Sequence, residues 1–206
     1  MENSSVLYQD IGSLSFGCES FASTYERLKA AIARWHLATA EHSVRVRISC
    51  VLLGSTCGMA GDELTTLSIA AEVHDIGKLN VPKSILDAPR TLTEAEWVII
   101  REHPTRGAQL AALSFPSMPD IAKCVLLHHE RLDGSGYPNG LNGNQIPLLP
   151  RIIAVADAFV ALTEDRPFRS AYSKKDALQI LMHEESGKFD EQILKLLERS
   201  MVSLMS

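Results

Sequence analysis

Aromatic residues are scarce in this sequence, at 6%, cysteine occurs only four times, and basic residues number 20 against 25 acidic ones. No apolar run approaches the roughly 18 uninterrupted residues that a membrane-spanning helix needs. The opening stretch MENSSVLYQDIGSLSFGCES has neither a basic n-region nor an apolar h-region, so it does not read as a secretory signal. The expected location is therefore the cytoplasm, with no membrane partner. A formal net charge of −5 and a pI near 5.8 leave no basic stripe of the kind that meets DNA or RNA, and neither is expected as a partner. A small anionic substrate stays compatible with that charge, because bound cations can supply positive charge locally. Cys18, Cys50, Cys57 and Cys124 show no CxxC spacing, which points to buried or half-buried reduced thiols rather than to disulfides or a zinc site.

What is present is helical periodicity. A chain of 206 residues with 46% hydrophobic content can bury one substantial core, and one domain is expected over 17–206, preceded by a loosely held extension at 1–16. Val44, Ile48, Val51, Leu52 and Ser55 share one helix face, as do Leu67, Ala70, Ala71 and His74, with Gly77 in the place of a C-cap glycine. Thr93 and Glu96 form a capping box ahead of Trp97, Val98 and Ile100, and Pro104 should end that helix near His103. Further helices are expected over 121–129, over 152–164, from about Ser173, and after Asp190. Between them, DGSGYPNGLNGNQIPLLP (133–150) is too rich in Gly, Pro and Asn for helix or central strand. The expected fold is all-α, a single helical bundle with one long loop.

Five of the seven histidines stand in apolar stripes or at helix ends: His42, His74, His103, His128 and His129. Asp75 follows His74 in VHDIGK, and Asp157 lies in AVADAF. An imidazole buried without a partner costs about 1–3 kcal/mol. Coordination by neutral imidazoles and carboxylates satisfies several such groups at once. Taken singly, each histidine is explained as well by a bond to a backbone carbonyl.

The strings HDIGKLNVPKSIL (74–86), REHPTRGAQL (101–110), HHERLDGSGYPNGLNGNQIP (128–147) and RIIAVADAFVALTEDRPFR (151–169) resemble the HD-GYP branch of the HD superfamily. The resemblance covers about residues 39–200. It implies a compact bundle of about seven helices and hydrolysis of cyclic di-GMP to linear pGpG or on to GMP. By position it implies metal ligands at His42, His74, Asp75, His103, His128, His129 and Asp157. That donor set suits two divalent transition-metal ions, Fe or Mn first and Co, Ni or Zn after them, rather than Mg or Ca. Asp75 could bridge the two ions, with a hydroxide held between them as nucleophile. Lys78 falls where it can offset charge in the transition state, and Arg166 and Arg169 match basic residues near the phosphates. Gly136 and Tyr137, in the GYP loop with Gly134 and Pro138, border the substrate, with Tyr137 either stacking on or bordering a guanine or equally serving as a structural anchor for the loop. The resemblance also brings in a diguanylate cyclase as a partner of this loop.

The sequence departs from the family pattern in two places. Where relatives carry ExRDxxTxxHxxRV, this chain has Ala33, Trp35, His36, Thr39, His42, Arg45 and Val46, and Ala38 stands where some members hold a third metal with a glutamate. Val160 replaces an aspartate of the FDALT string, which places an apolar wall on the expected base side and predicts weak discrimination between guanine and adenine. Two other readings follow from these departures. One is a metal-bound but catalytically weak sensor or docking module; the other is a hydrolase of a different cyclic dinucleotide.

Overall fold

A computed structural model describes residues 20–165 and 169–203. The expected extension at 1–16 and Arg166 lie outside them. The described residues are helical without a strand, and an isolated bridge joins Asp133 to Asn142 inside the long loop. In chain order the helices are α1 (Phe21–Trp35), α2 (Leu37–Thr56), α3 (Gly61–Val73), α4 (Lys83–Leu86), α5 (Glu94–Arg101), α6 (His103–Ser114), α7 (Pro119–Leu127), α8 (Leu148–Leu162), α9 (Lys174–Gln179) and α10 (Glu191–Ser203). A 3-10 turn, Ile76–Asn80, follows α3, and a π turn, Ile180–Glu184, follows α9. One-turn pieces such as α4 account for the segments beyond the seven or so expected. No helix among the described residues is long and apolar enough to cross a membrane.

Local signals set most boundaries. At the head of α5, Glu96 N donates to Thr93 Oγ1 at 3.3 Å while Thr93 N donates to Glu96 Oε2 at 2.8 Å, and Arg90 forks onto the same carboxylate. This helix buries none of its side chains, so the cap does more than packing to define its start. Pro104 sits in the first turn of α6, where its missing N–H costs nothing. The 133–150 segment forms no regular helix beyond the turn Gly143–Gln145 before α8 begins.

Helices α2, α3, α7 and α8 pack on one another around a core that includes Val46, Leu53, Leu67, Ile121, Val125, Ile152 and Val155. Each such side chain, fully buried, stabilises the fold by about 1.5–3 kcal/mol. The rotation of α2 differs from expectation. Its buried stripe is His42, Val46, Cys50 and Leu53, while Val44, Ile48 and Leu52 are exposed. Both stripes are apolar and both have helical spacing, so periodicity alone could not choose; turning His42 inward selects the other one. Cys50 and Cys124 are buried free thiols as expected, whereas Cys57, at the end of α2, is exposed.

Gly77 is not a C-cap glycine either. It lies in the 3-10 turn, where a Cβ would stand 2.0 Å from His103 O and 2.7 Å from Gly107 N. Its hydrogen lets the backbone after Asp75 press directly against the start of α6.

Val160 requires a correction as well. It is 5% exposed and belongs to the hydrophobic core, so it forms no wall of a base pocket. An aspartate there would bury a carboxylate among aliphatic groups. Val160→Asp should cost about 3 kcal/mol or more and lower Tm by roughly 6–12 °C, read from thermal melts followed by circular dichroism. A variant that melts with the wild type would place this side of α8 at the surface.

Candidate metal centre

Five elements deliver seven side chains to one place. His42 comes from the buried stripe of α2, His74 and Asp75 from the end of α3, His103 from the start of α6, His128 and His129 from the end of α7, and Asp157 from the middle of α8. They form two adjoining groups, Asp75–His103–His128–His129 and His42–His74–Asp157, and within each group the ligand-type atoms lie within 4.8 Å of one another. Asp75 borders both, with Oδ1 3.2 Å from His103 Nε2 and Oδ2 3.4 Å from His74 Nε2.

The hydrogen bonds assign the ring protons. Nδ1 of His74, His103 and His128 lies 2.7 Å from the carbonyl oxygen three residues earlier, at Ala71, Ile100 and Val125. A carbonyl can only accept, so each Nδ1 carries the proton and each Nε2 presents a lone pair. Helix ends make this arrangement available, because their last carbonyls lack an intrahelical amide partner. The three Nε2 atoms then point into the interior, where those of His103 and His128 stand 3.2 Å apart. Two lone pairs cannot hydrogen-bond each other. His74 Nε2 and Asp75 Oδ1 are buried without any hydrogen-bond partner. Four inward-facing acceptors without donors, the three Nε2 atoms and Asp75 Oδ1, are a defect in a metal-free core and a fit for cations. The mixed N/O donors match borderline transition metals.

The charges agree with this arrangement. Burial favours the neutral acid at Asp75, but the Lys78 ammonium on its Oδ2 outweighs it and holds its pKa well below the usual carboxylate range. Asp157 is held down in the same way against burial, chiefly by the hydrogen bond and charge of His42. Burial and the neighbouring imidazoles push His128 and His129 well below the ordinary histidine value, so both are neutral. His42 behaves differently. Burial opposes its charge, yet hydrogen bonds to Asp157 and Glu164, both 2.9 Å, raise its pKa to about 9. To ligate a cation its Nε2 must give up a proton, while Nδ1–H stays on Glu164.

Around this centre, Lys78 Nζ donates to Asp75 Oδ2 at 2.6 Å, and Trp35 Nε1 donates to the Lys78 carbonyl at 3.2 Å. Trp35 and His36 thus have definite places despite departing from the family pattern: His36 caps α2 through Thr39 and reaches Asp87 at 2.9 Å. The Tyr137 ring lies over His129, with centroids 4.7 Å apart. Gly136 packs on the backbone behind His129, where a Cβ would stand 2.5 Å from His129 O. Arg169, expected near phosphates, instead donates to the carbonyls of Ala161 and Leu162 at the end of α8 and to Ser170, with its guanidinium over Tyr172. Those terminal carbonyls lack intrahelical amide partners; Leu162 O also accepts from Tyr172 N at 3.0 Å, and the guanidinium supplies the further donors.

Two supporting carboxylates escaped the sequence reading. Glu130, 2% exposed, accepts from Asn139 N and Leu141 N at 2.7 and 2.9 Å and so anchors the long loop. Glu164 pins His42 and is paired in turn with Arg45. Its position seven residues after Asp157, a spacing of two helical turns although Glu164 lies just past the end of α8, was the available signal.

An all-helical bundle closed around a histidine–aspartate cluster that could hold metal ions is thereby defined. The family model described as HD domain matches residues 25–193, and the chain belongs to that family, in its HD-GYP branch. It is 39% identical over 163 residues to the 3'3'-cGAMP-specific phosphodiesterase 1 of Vibrio cholerae, covering 79% of this chain and 38% of the relative. It is 36% identical over 182 residues to the cyclic di-GMP phosphodiesterase response regulator RpfG of Xanthomonas campestris pv. campestris, covering 88% and 48%. The chain thus spans less than half the length of either. Bd1817, a HDG"Y"P protein from Bdellovibrio bacteriovorus, shares the fold with a TM-score of 0.70 over 96% of this chain and 70% of its own, at 18% identity. The PgpH HD domain of L. monocytogenes, solved in complex with cyclic-di-AMP, does so at 0.62 over 87% and 95%, at 16% identity.

Both supporting carboxylates can be tested. Glu164→Gln should weaken metal binding by about 10–100-fold, as loss of a group that orients a ligand does, measured by competition with a chelating dye; unchanged affinity would reduce Glu164 to a partner of Arg45. Glu130→Ala should accelerate hydrogen exchange at the Asn139 and Leu141 amides, while protection retained at both would show that the loop holds itself.

Proposed function

We propose that this chain is a metal-dependent phosphodiesterase that opens cyclic di-GMP to linear pGpG or on to GMP. The observation that carries the reading is the convergence of three inward Nε2 lone pairs with the ionised Asp75 and Asp157. Two divalent ions, Fe or Mn first and Co, Ni or Zn compatible with the same donors, would supply a water of lowered pKa and neutralise charge at the phosphorus. His42, His74, Asp75, His103, His128, His129 and Asp157 would hold them, Asp75 being the residue within reach of both groups.

The other residues serve the substrate. Lys78, half-buried beside Asp75, is placed to offset charge that develops on a phosphate oxygen, and the Trp35 bond to its carbonyl steadies it. Tyr137 and Gly136 form the wall beside His129, with the loop clamped by Glu130. Arg166 keeps the phosphate role that the resemblance assigns to it, and Arg169 acts through the end of α8. A diguanylate cyclase, if the loop meets one, would find the exposed Pro138–Gly140 tip. We assign the catalytic domain to 17–206, with 1–16 as an extension.

The relative at 39% identity is named for 3'3'-cGAMP, which favours a second reading in which the hybrid dinucleotide is the better substrate. Metal-replete protein incubated with cyclic di-GMP, 3'3'-cGAMP and cyclic di-AMP decides between the two, with linear products resolved by chromatography. Chelation or Asp75→Ala should abolish turnover, and Lys78→Ala should lower kcat about 100-fold or more with metal content unchanged. Full activity in exhaustively chelated protein, or in Asp75→Ala, would overturn the mechanism.

A further inference from the structure

With Val160 in the core, the base of the substrate must be read elsewhere, and one surface next to the centre has the chemistry to do so. A row of four side chains leads outward from it. The Tyr137 ring rests on His129, Arg101 lies over the Tyr137 ring at 5.8 Å, and the same guanidinium lies over Trp97 at 5.9 Å. Arg101 and Trp97 stand four residues apart on α5 and so share a face. The end of α5 is tied to the centre, because the Ile100 carbonyl holds the His103 imidazole. Trp97 is 39% exposed, and among the described residues no carboxylate pairs with Arg101. An exposed arginine normally finds an acid nearby; this one faces two aromatic rings and keeps its N–H fork free.

We propose that Arg101 and Trp97 form the purine-reading subsite, with the base face on Trp97 and its Hoogsteen edge on the Arg101 guanidinium, so that Arg101 selects guanine over adenine. The inference rests on the cyclic-dinucleotide reading of the centre. A guanidinium above these rings occupies the layer in which a stacked base would lie, so the edge of the base and the N–H fork meet side by side. Guanine offers two acceptors on that edge, O6 and N7, which match two N–H donors. Adenine places its N6 amino group opposite one of them, donor against donor. Stacking on indole is indifferent to base identity and supplies affinity rather than choice. A phosphate has no face to stack, and the reacting phosphate belongs over the metal centre.

The test is kcat/KM for cyclic di-GMP and cyclic di-AMP in wild type, Arg101→Ala, Arg101→Lys and Trp97→Ala. Arg101 and Trp97 are exposed, so these variants should melt with the wild type. The wild type should prefer cyclic di-GMP, and Arg101→Ala should reduce that preference by about 10–100-fold. Arg101→Lys should not restore it, since an ammonium keeps the charge but loses the fork. Trp97→Ala should raise KM for both nucleotides by similar factors with kcat little changed. Equal losses on both substrates in Arg101→Ala, with rescue by Arg101→Lys, would make Arg101 a phosphate contact and overturn the proposal. So would a guanine preference that Arg101→Ala leaves intact. A wild type that turns over neither these nor 3'3'-cGAMP would instead overturn the parent reading, and the inference with it.

Discussion

A cluster of acceptors cannot satisfy itself. Asp75, buried and ionised, faces imidazole nitrogens that have lone pairs and no protons to offer, and His103 and His128 bring two such lone pairs to 3.2 Å. Much of the architecture holds this arrangement in place. Each of the three rings spends its one N–H on a carbonyl near a helix end, which fixes the tautomer and the ring plane with a single bond. The helices must therefore terminate at the centre. Pro104 starts α6 at His103, and α3 and α7 stop at His74 and His128.

The same requirement explains why so much of the neighbouring backbone is packed closely. Gly77 admits the His103 backbone next to the turn that carries Asp75, and Gly136 admits the backbone of His129 to Arg131 next to the loop that carries Tyr137. A methyl group at either glycine would separate two parts of the same site. Beyond the ligands a second layer of polar groups sets their orientation. Glu164 holds His42, Glu130 holds the loop, and Trp35 holds the Lys78 carbonyl. The departures from the family pattern at Trp35 and His36 therefore fall on groups that still make specific bonds. His36 in particular has become the cap of α2.

The sequence by itself determined the helical class, the capping box at Thr93, the break at Pro104 and the helix-poor loop, and its resemblance to a family picked out the seven residues that the structure brings together. These signals are local or motif-borne: a cap, a proline, a period of 3.6, a string of glycines. Five of the ligand positions were also recognisable as histidines in unusual apolar or helix-end settings, since burying an imidazole demands a partner. Tertiary structure decided what depends on rotation about a helix axis and on distance between remote segments. The α2 sequence carries two apolar stripes of helical spacing, so only the inward turn of His42 could expose Val44, Ile48 and Leu52 and bury Cys50. Likewise Val160 and Arg169 sit in strings that suggest a binding role. The first is core and the second closes α8, because neighbours far away in the chain, or carbonyls left over at a helix end, claim them first. Glu130 and Glu164 look like surface acids in one dimension. Their partners lie 9 and 122 residues away, and that separation hides their roles from local patterns, the spacing of Glu164 from Asp157 being the one hint.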